Sequence, residues 1–167
     1  ANIKVQANYK NFKPHMYNFN KIRIFYNNWD YDYKIKLNDT IKVKSVLHNT
    51  EQHFVEYQLG DTVEDLDFNV QKITNNPKGE FLMMGLELMN NNRGVEYTTI
   101  GVNGASFEYY NRCHYFKDQL LLYKPDLYIV SVGTNDTYRL HFDAEKFKRN
   151  YEKMKNDVLE ANPNAAI

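Results

Sequence analysis

Apolar and polar residues alternate along much of the first 92 residues of the chain. An alternation with a period of two is typical of a β-strand that has one buried face and one solvated face. Turn-forming Asn, Asp and Gly residues separate the runs, which favours an all-β sandwich or jelly roll built of short strands. The alternating runs cover residues 21–26, 31–37, 40–47, 54–59, 66–70 and 81–89.

The pattern changes at the polar segment 90–94, where we place the boundary between a domain at 1–92 and a domain at 93–167. Beyond it, short apolar runs alternate with stretches of helical period, and this order predicts a parallel sheet. The predicted fold class is therefore a partial α/β core preceded by the all-β domain. The predicted elements are strands at 95–100, at 127–132 and from 163 onward, and helices at 106–123 and 143–161.

The run 127–132 is the most distinctive of these elements. It is short, apolar and β-branched at three positions, as expected for a strand covered on both faces of a parallel sheet. Gly133, Asn135 and Asp136 follow it directly. Ligands bind at the carboxyl ends of strands in open α/β sheets, so Asn135 is predicted to lie at a functional site.

A second stretch has the same design. The predicted strand 95–100 leads into a turn that contains Gly101 and Gly104, followed by a predicted helix. Glycines at such a turn allow a sharp bend or a close approach of another group. Backbone N–H groups exposed at the turn can bind an anion or a developing oxyanion.

Together the two stretches resemble the SGNH (GDSL-type) hydrolases, whose core is a flavodoxin-like parallel sheet. The resemblance covers about residues 94–167 and is closest to the bacterial peptidoglycan O-acetylesterases. It implies a serine esterase in which the Gly-x-Asn-Asp block at 133–136 supplies an oxyanion donor, Asn135. The matching glycine donor is Gly104, with Gly101 as second choice, and Asp136 is expected to bond loop N–H groups.

Two blocks of the family are absent from residues 1–167. The family's nucleophile is the Ser of a Gly-Asp-Ser block and its base is the His of an Asp-x-x-His block, and neither sequence occurs here. Residues 60–62, Gly-Asp-Thr, resemble the first block with Thr for Ser, and we interpret them as a turn between strands. Ser106 and Ser131 are weaker candidates for the nucleophile, because neither lies in a Gly-x-Ser-x-Gly elbow. His114 and His141 are interpreted as loop residues.

These gaps suggest that the chain is a fragment of a larger hydrolase and is inactive alone. Some peptidoglycan O-acetylesterases carry a β-sandwich similar to a carbohydrate-binding module, inserted between the serine block and the glycine block. The order of the predicted domains matches that arrangement. The resemblance also implies a periplasmic or secreted protein with an acetylated glycan as its substrate.

Composition narrows the range of functions. The formal net charge is zero at pH 7, so no basic surface argues for nucleic acid. No apolar run is long enough to span a membrane. The only cysteine is Cys113, so no internal disulfide can form. His48 and His53 lack the Cys or carboxylate partners of a zinc site, and we predict neither a metal nor a cofactor.

Aromatic residues of the first domain support an alternative function. Exposed aromatic rings could stack on sugars, which would make the protein a non-catalytic carbohydrate-binding module. Core packing is the competing interpretation of each ring. A lipase or general acyl esterase of the same superfamily is a third possibility. The aromatic residues in question are Tyr17, Phe19, Trp29, Tyr31, Tyr33 and Tyr57.

Overall fold

A computed structural model describes residues 1–7, 17–28, 32–138 and 141–167. The chain divides into two compact units, Ala1–Gly94 and Val95–Ile167. The first unit contains the strands and the second contains the helices. Each unit has its own cluster of buried apolar side chains.

Seven strands of the first unit form two antiparallel sheets. One sheet has the strand order β1-β6-β3, and the other has the order β4-β5-β2-β7. The strands are β1 (Asn2–Gln6), β2 (Phe19–Asn28), β3 (Tyr33–Leu37), β4 (Val43–Asn49), β5 (Phe54–Val63), β6 (Asp65–Lys72) and β7 (Phe81–Met89). All of the predicted alternating runs overlap with β2 to β7.

The register of the central strands follows from the alternating pattern. Ile22 and Ile24 of β2 lie opposite Tyr57 and Val55 of β5, and all four side chains are buried. Both sheets contribute to one core of buried apolar side chains. Each fully buried aliphatic side chain contributes roughly 1.5–3 kcal/mol, so this core dominates the stability of the unit. Its buried members are Val5, Phe19, Ile22, Ile24, Ile35, Leu37, Val55, Tyr57, Leu59, Leu66, Phe68 and Val70.

The polar positions of the same strands form an ion-pair network. Arg23 of β2 donates to Glu56 of β5 through Nε at 3.0 Å, and its Nη1 donates to Glu87 of β7 at 2.8 Å. These three residues lie side by side in the registers of the three strands. The alternation therefore places charge pairs on one face and the core on the other.

Tyr57 brings a hydroxyl group into this core. Its Oη donates a hydrogen bond of 3.0 Å to the Ile35 carbonyl, which connects β5 to β3 of the other sheet. Burial raises the pKa of Tyr57 to about 12. A buried hydroxyl with a partner avoids the desolvation penalty of an unpaired polar group.

The predicted turn at residues 60–62 is wrong. Gly60 to Thr62 lie inside β5, which continues to Val63, and the chain turns at Glu64. The Gly60 N–H donates to the Lys42 carbonyl at 2.6 Å, so the glycine is hydrogen-bonded to the residue just before β4. Glycine and aspartate both favour turns, but here hydrogen bonding to neighbouring segments keeps the backbone extended.

The second unit contains four helices in its described part, α1 (Phe107–Tyr110), α2 (Phe116–Tyr123), α3 (Thr134–Thr137) and α4 (Ala144–Ala161). The prediction of a helix at 143–161 is confirmed, and Asp143 is its N-cap. The Asp143 side chain accepts a hydrogen bond of 2.9 Å from the Lys146 N–H. Met154 and Val158 are buried on the inner face of α4.

The helix predicted at 106–123 is interrupted. It consists of α1 and α2, with a non-helical segment at 111–115 between them. Asn111 directs its amide away from the local backbone and donates to the Asn150 carbonyl of α4 at 2.9 Å. Asn has a low intrinsic helix propensity because its side chain competes for backbone groups, which explains the break. Cys113 lies in the interrupting segment and is exposed.

The predicted α/β parallel-sheet core is wrong. In the described part of the chain, both sheets are antiparallel, and the only parallel pairing is an isolated bridge between Leu127 and Ala166. Residues 127–132 are not covered on both faces, since Leu127 is 58% exposed and Ile129 is 78% exposed. Residues 95–100 form no strand either, and Val95 is almost fully exposed. A parallel strand requires paired neighbours, and the segments predicted to pair do not form strands.

Candidate active site

Gly104 lies in the turn that follows residues 95–100. Its φ is +77°, a left-handed conformation that favours glycine, whereas Gly101 has no positive φ. A Cβ atom on Gly104 would meet no atom within 4 Å. Among the described residues the Gly104 N–H makes no hydrogen bond. The exposed turn therefore contains a backbone donor that no described residue uses.

Ser106 starts helix α1 directly after this turn. Its side chain is 1% exposed and accepts a hydrogen bond from the Tyr109 N–H at 3.4 Å. This is the usual bond of a serine N-cap, and it leaves the hydroxyl inside the fold. Ser106 is therefore a structural residue and a poor candidate for the nucleophile.

Gly133 begins the second loop of the site. Its φ is +134°, in a region that residues with a side chain rarely adopt. It precedes α3, a single turn of helix that contains Asn135 and Asp136. The Asp136 and Thr137 N–H groups both donate to the Gly133 carbonyl at 3.1 Å. The glycine thus turns the backbone so that the next side chains project from one short helical turn.

Two hydrogen bonds join the two loops. The Asn135 side chain donates from Nδ2 to the Ala105 carbonyl at 2.9 Å. The Asp136 Oδ2 accepts from the Phe107 N–H at 3.2 Å. The structure therefore places Asn135 beside the residue that follows Gly104. Asp136 was expected to bond loop N–H groups, and the one N–H that it accepts among the described residues is that of Phe107, the first residue of α1.

Aromatic residues of α4 pack beneath both loops, a feature that our sequence analysis missed. The buried Phe107 ring packs edge-on against Phe147 at 5.5 Å and against Tyr151 at 5.8 Å, between ring centroids. The Phe147 ring also approaches Gly133, within 3.7 Å of the position that a Cβ atom would occupy. The spacing of Phe147 and Tyr151 on one helix face was the available signal.

The arrangement can offer two hydrogen-bond donors to an anion. An amide nitrogen has two N–H groups, and Asn135 uses one of them for Ala105. The second N–H of Asn135 and the Gly104 N–H both remain available among the residues that the structure describes. Both are uncharged donors, and Asn135 is held in place by its bond to Ala105. Uncharged donors of this type can stabilise a developing oxyanion.

The other candidate residues lie outside this arrangement. Ser131 and His141 are exposed, and the His114 ring contacts Tyr115 at 4.8 Å between centroids. Within the described ranges, no hydrogen bond joins Ser106 or Ser131 to a histidine. The structure therefore contains no described serine–histidine pair.

No metal site is found among the described residues, because no group of three His, Cys, Asp or Glu side chains is close enough to bind an ion. His48 lies in β4 and His53 in the turn before β5. Across the same ranges, no helix combines the length and the apolar character needed to span a membrane.

The aromatic residues proposed to stack on sugars have different environments. Phe19 and Tyr57 are buried in the core of the first unit, so core packing is the correct interpretation for them. Tyr33 is half-buried, and its Oη donates to the Gly79 carbonyl at 3.2 Å. Tyr17 is 60% exposed. Trp29 and Tyr31 lie outside the described residues.

A cavity of about 250 Å³ lies between the α1–α2 connection and α4. Its lining includes Arg112, Lys117 and Lys153. Each of these cations is already paired with a carboxylate, from Glu108, Glu160 and Asp157 respectively. The cavity therefore has no surplus positive charge from these three residues with which to bind an anion.

Comparison with known proteins gives one match. The family model described as GDSL-like Lipase/Acylhydrolase matches residues 80–166, slightly more than half of the chain. The matched region begins just before β7 and includes both loops of the site. No curated protein and no solved structure matches the chain.

Proposed function

The chain belongs to the family of GDSL-like lipases and acylhydrolases, and we propose that it supplies the oxyanion hole of a serine carbohydrate esterase. The family match indicates esterase or acylhydrolase activity in general. Our proposal goes further in assigning residues: the Gly104 N–H and the Asn135 side-chain amide would hold the oxyanion. The nucleophilic serine and its histidine base would come from sequence outside residues 1–167.

The observation that carries the proposal is the hydrogen bond between Asn135 and Ala105. It connects two loops that lie thirty residues apart in sequence and brings the Asn135 amide next to the Gly104 turn. A lone Gly-x-Asn-Asp block is a weak signal. The same block bonded to a glycine turn with an available N–H has the components of an oxyanion hole.

The chemistry follows from these donors. The serine hydroxyl would attack the carbonyl carbon of the ester, and its proton would pass to the histidine. The electron pair of the C=O bond then moves to oxygen, which becomes an oxyanion. Removing one donor from such a hole typically lowers kcat by about 10²–10³-fold. A third donor would be the N–H of the serine itself.

O-acetyl groups on a cell-wall glycan or another polysaccharide are the proposed substrate, and the proposed location is the periplasm or the exterior of the cell. Two features support this proposal. The two loops resemble those of peptidoglycan O-acetylesterases, and the β-strand unit precedes the loops as in those enzymes with an inserted sugar-binding domain. In this proposal the unit Ala1–Gly94 contacts the glycan while the second unit contributes to catalysis.

The test is ester hydrolysis by the protein with and without its flanking sequence. We expect residues 1–167 alone to be inactive, and the longer protein to hydrolyse both p-nitrophenyl acetate and an O-acetylated glycan. In the longer protein, Asn135→Ala should lower kcat by about 10²–10³-fold. Asn111→Ala is the matched control, because it removes another side-chain amide bonded to a carbonyl, that of Asn150, and should leave kcat unchanged.

Three results would contradict the proposal in different ways. Activity of residues 1–167 alone that is lost with Asn135→Ala would show that this chain contains a nucleophile. A preference for long-chain esters would favour a lipase or general acyl esterase. Glycan binding without hydrolysis, unaffected by Asn135→Ala, would identify a carbohydrate-binding module.

A further inference from the structure

Asp136 bonds to the opposite loop in a way that the chemistry of the proposed hole does not require. Its Oδ2 accepts the Phe107 N–H at 3.2 Å, across a sequence separation of 29 residues. The Phe107 N–H belongs to the first turn of α1, where backbone donors have no partner within the helix. Ser106 caps the Tyr109 N–H, so Asp136 supplies a separate acceptor from the other loop.

The bonds of Asn135 and Asp136 act as a pair. Consecutive residues of α3 bond to two nearly consecutive residues of the opposite turn, Ala105 and Phe107. One hydrogen bond would let the loops pivot about a single point, whereas two bonds at neighbouring residues define both separation and orientation. Asn135 is also a proposed oxyanion donor, through its second N–H. The Asp136 bond involves no proposed donor and can remain constant.

The charge of Asp136 makes this bond stronger than a neutral one. A hydrogen bond from an N–H group to a carboxylate is roughly twice as strong as one between neutral groups. The contact is partly buried, which reduces competition from water. The packing of Phe107 on α4 holds the other end of the bond in place.

We propose that Asp136 is a positioning residue that sets the distance between the Gly104 N–H and the Asn135 amide. It contacts neither the substrate nor the reacting atoms, and it exchanges no proton. This inference rests on the function proposed above. Accurate placement of the two donors matters for catalysis, because a misplacement of about 1 Å at a reacting centre can reduce a rate by about 10²-fold.

The experiment compares kcat and KM for acetyl ester hydrolysis in the protein with its flanking sequence. Asp136→Ala is expected to lower kcat by about 10–100-fold and to change KM by less than about twofold, because only the transition state needs the aligned donors. Asp136→Asn should restore part of the loss, because its Oδ1 can accept the same N–H. The Asn variant also keeps the test valid if the Ala variant does not fold.

Asp143→Ala is the matched control. Asp143 also accepts a helix N–H, that of Lys146, but this bond connects no loops. We expect it to reduce thermal stability about as much as Asp136→Ala while kcat stays within about twofold of the wild-type value. An Asp136→Ala variant whose kcat is unchanged, or falls no further than that of Asp143→Ala, would overturn the inference.

A second measurement does not depend on activity. In NMR spectra of the 167-residue chain, Asp136→Ala should shift the Gly104 N–H and the Asn135 side-chain amide signals, whereas Asp143→Ala should leave both in place. If the longer wild-type protein hydrolyses no ester, the proposed function fails, and this spectrum alone decides the role of Asp136. Unchanged Gly104 and Asn135 signals in Asp136→Ala would then overturn the positioning role.

Discussion

Each of the two units contains a short run with β-branched residues, alternating with charges at 21–26 and continuously apolar at 127–130, but the two runs have different structures. In Ala1–Gly94 the run 21–26 is the middle of β2, which pairs on both sides with β5 and β7. In Val95–Ile167 the run 127–132 makes one bridge, and Ile129 is largely exposed. A run with β-branched residues thus favours an extended backbone. A strand forms only where neighbouring segments provide hydrogen bonds and a covered face.

The test with the largest expected effect on stability replaces one isoleucine in each unit. Ile24 of β2 is completely buried, so Ile24→Ala should lower the free energy of unfolding by about 2–5 kcal/mol. Ile129→Ala should change it by less than about 0.5 kcal/mol, because little buried apolar surface is lost. Urea titration monitored by circular dichroism measures both. Equal destabilisation by the two variants would show that residues 127–132 are buried after all.

Glycine replacements test the backbone of the two units. Gly133→Ala should cost about 1–3 kcal/mol, because an alanine at a φ of +134° is strained even where space is available. Gly85 of β7 has no positive φ, and a Cβ atom added to it would meet no atom within 4 Å. Gly85→Ala should therefore stay within about 0.5 kcal/mol of wild type. The melting temperatures of the two variants measure this difference. A Gly133→Ala protein as stable as wild type would mean that the loop relaxes to an ordinary backbone conformation.

Replacing one tyrosine in each unit should give the smallest difference in stability, and this difference should depend on pH. Tyr57 has a partner, the Ile35 carbonyl, and Tyr57→Phe should cost about 1 kcal/mol at a pH of about 8. Burial raises the pKa of Tyr57 to about 12 from an ordinary value of 10.0, so the unfolded chain releases this proton first. The stabilisation is therefore complete below about pH 10 and is lost as the pH rises towards about 12. The difference between wild type and Tyr57→Phe should narrow over that range, and parallel curves would contradict the assignment.

Tyr128 in the second unit is the control for this measurement. Burial raises its pKa as well, but its hydroxyl oxygen has no hydrogen-bond partner among the described residues. Removing an unpaired buried hydroxyl relieves a desolvation cost, so Tyr128→Phe should be neutral or slightly stabilising at the same pH. A loss of stability equal to that of Tyr57→Phe would reveal a partner for Tyr128.

Sequence reasoning succeeded where the signal was local. The helical period of residues 143–161 predicted α4 over its full length. Alternation predicted β2 to β7 but not β1, and it misplaced the turn at Gly60, where pairing within the sheet outweighs turn propensity. The helix predicted at 106–123 was wrong in its middle, because Asn111 bonds to a distant carbonyl of α4. A bond over 39 residues leaves no periodic signal in the chain.

The candidate site also combines residues that the sequence indicated with contacts that only the structure shows. Resemblance to a family indicated Gly104 and Asn135, and their roles as oxyanion donors remain predictions. The contact between their two loops came only from the structure, through the bonds of Asn135 to Ala105 and of Asp136 to Phe107. The helical spacing of Phe147 and Tyr151 was present in the sequence, but the contact of Phe147 with both loops came from the structure.

By itself, the sequence determined the period of each apolar run, the residues able to adopt turns, and the residue types that could act as donors, because these depend on side-chain chemistry and short-range backbone sterics. The tertiary structure decided which runs became strands, where a helix broke, and which loops met. Those outcomes depend on hydrogen bonds and packing between distant segments, whose free energy exceeds local preferences of a few tenths to about one kcal/mol per residue.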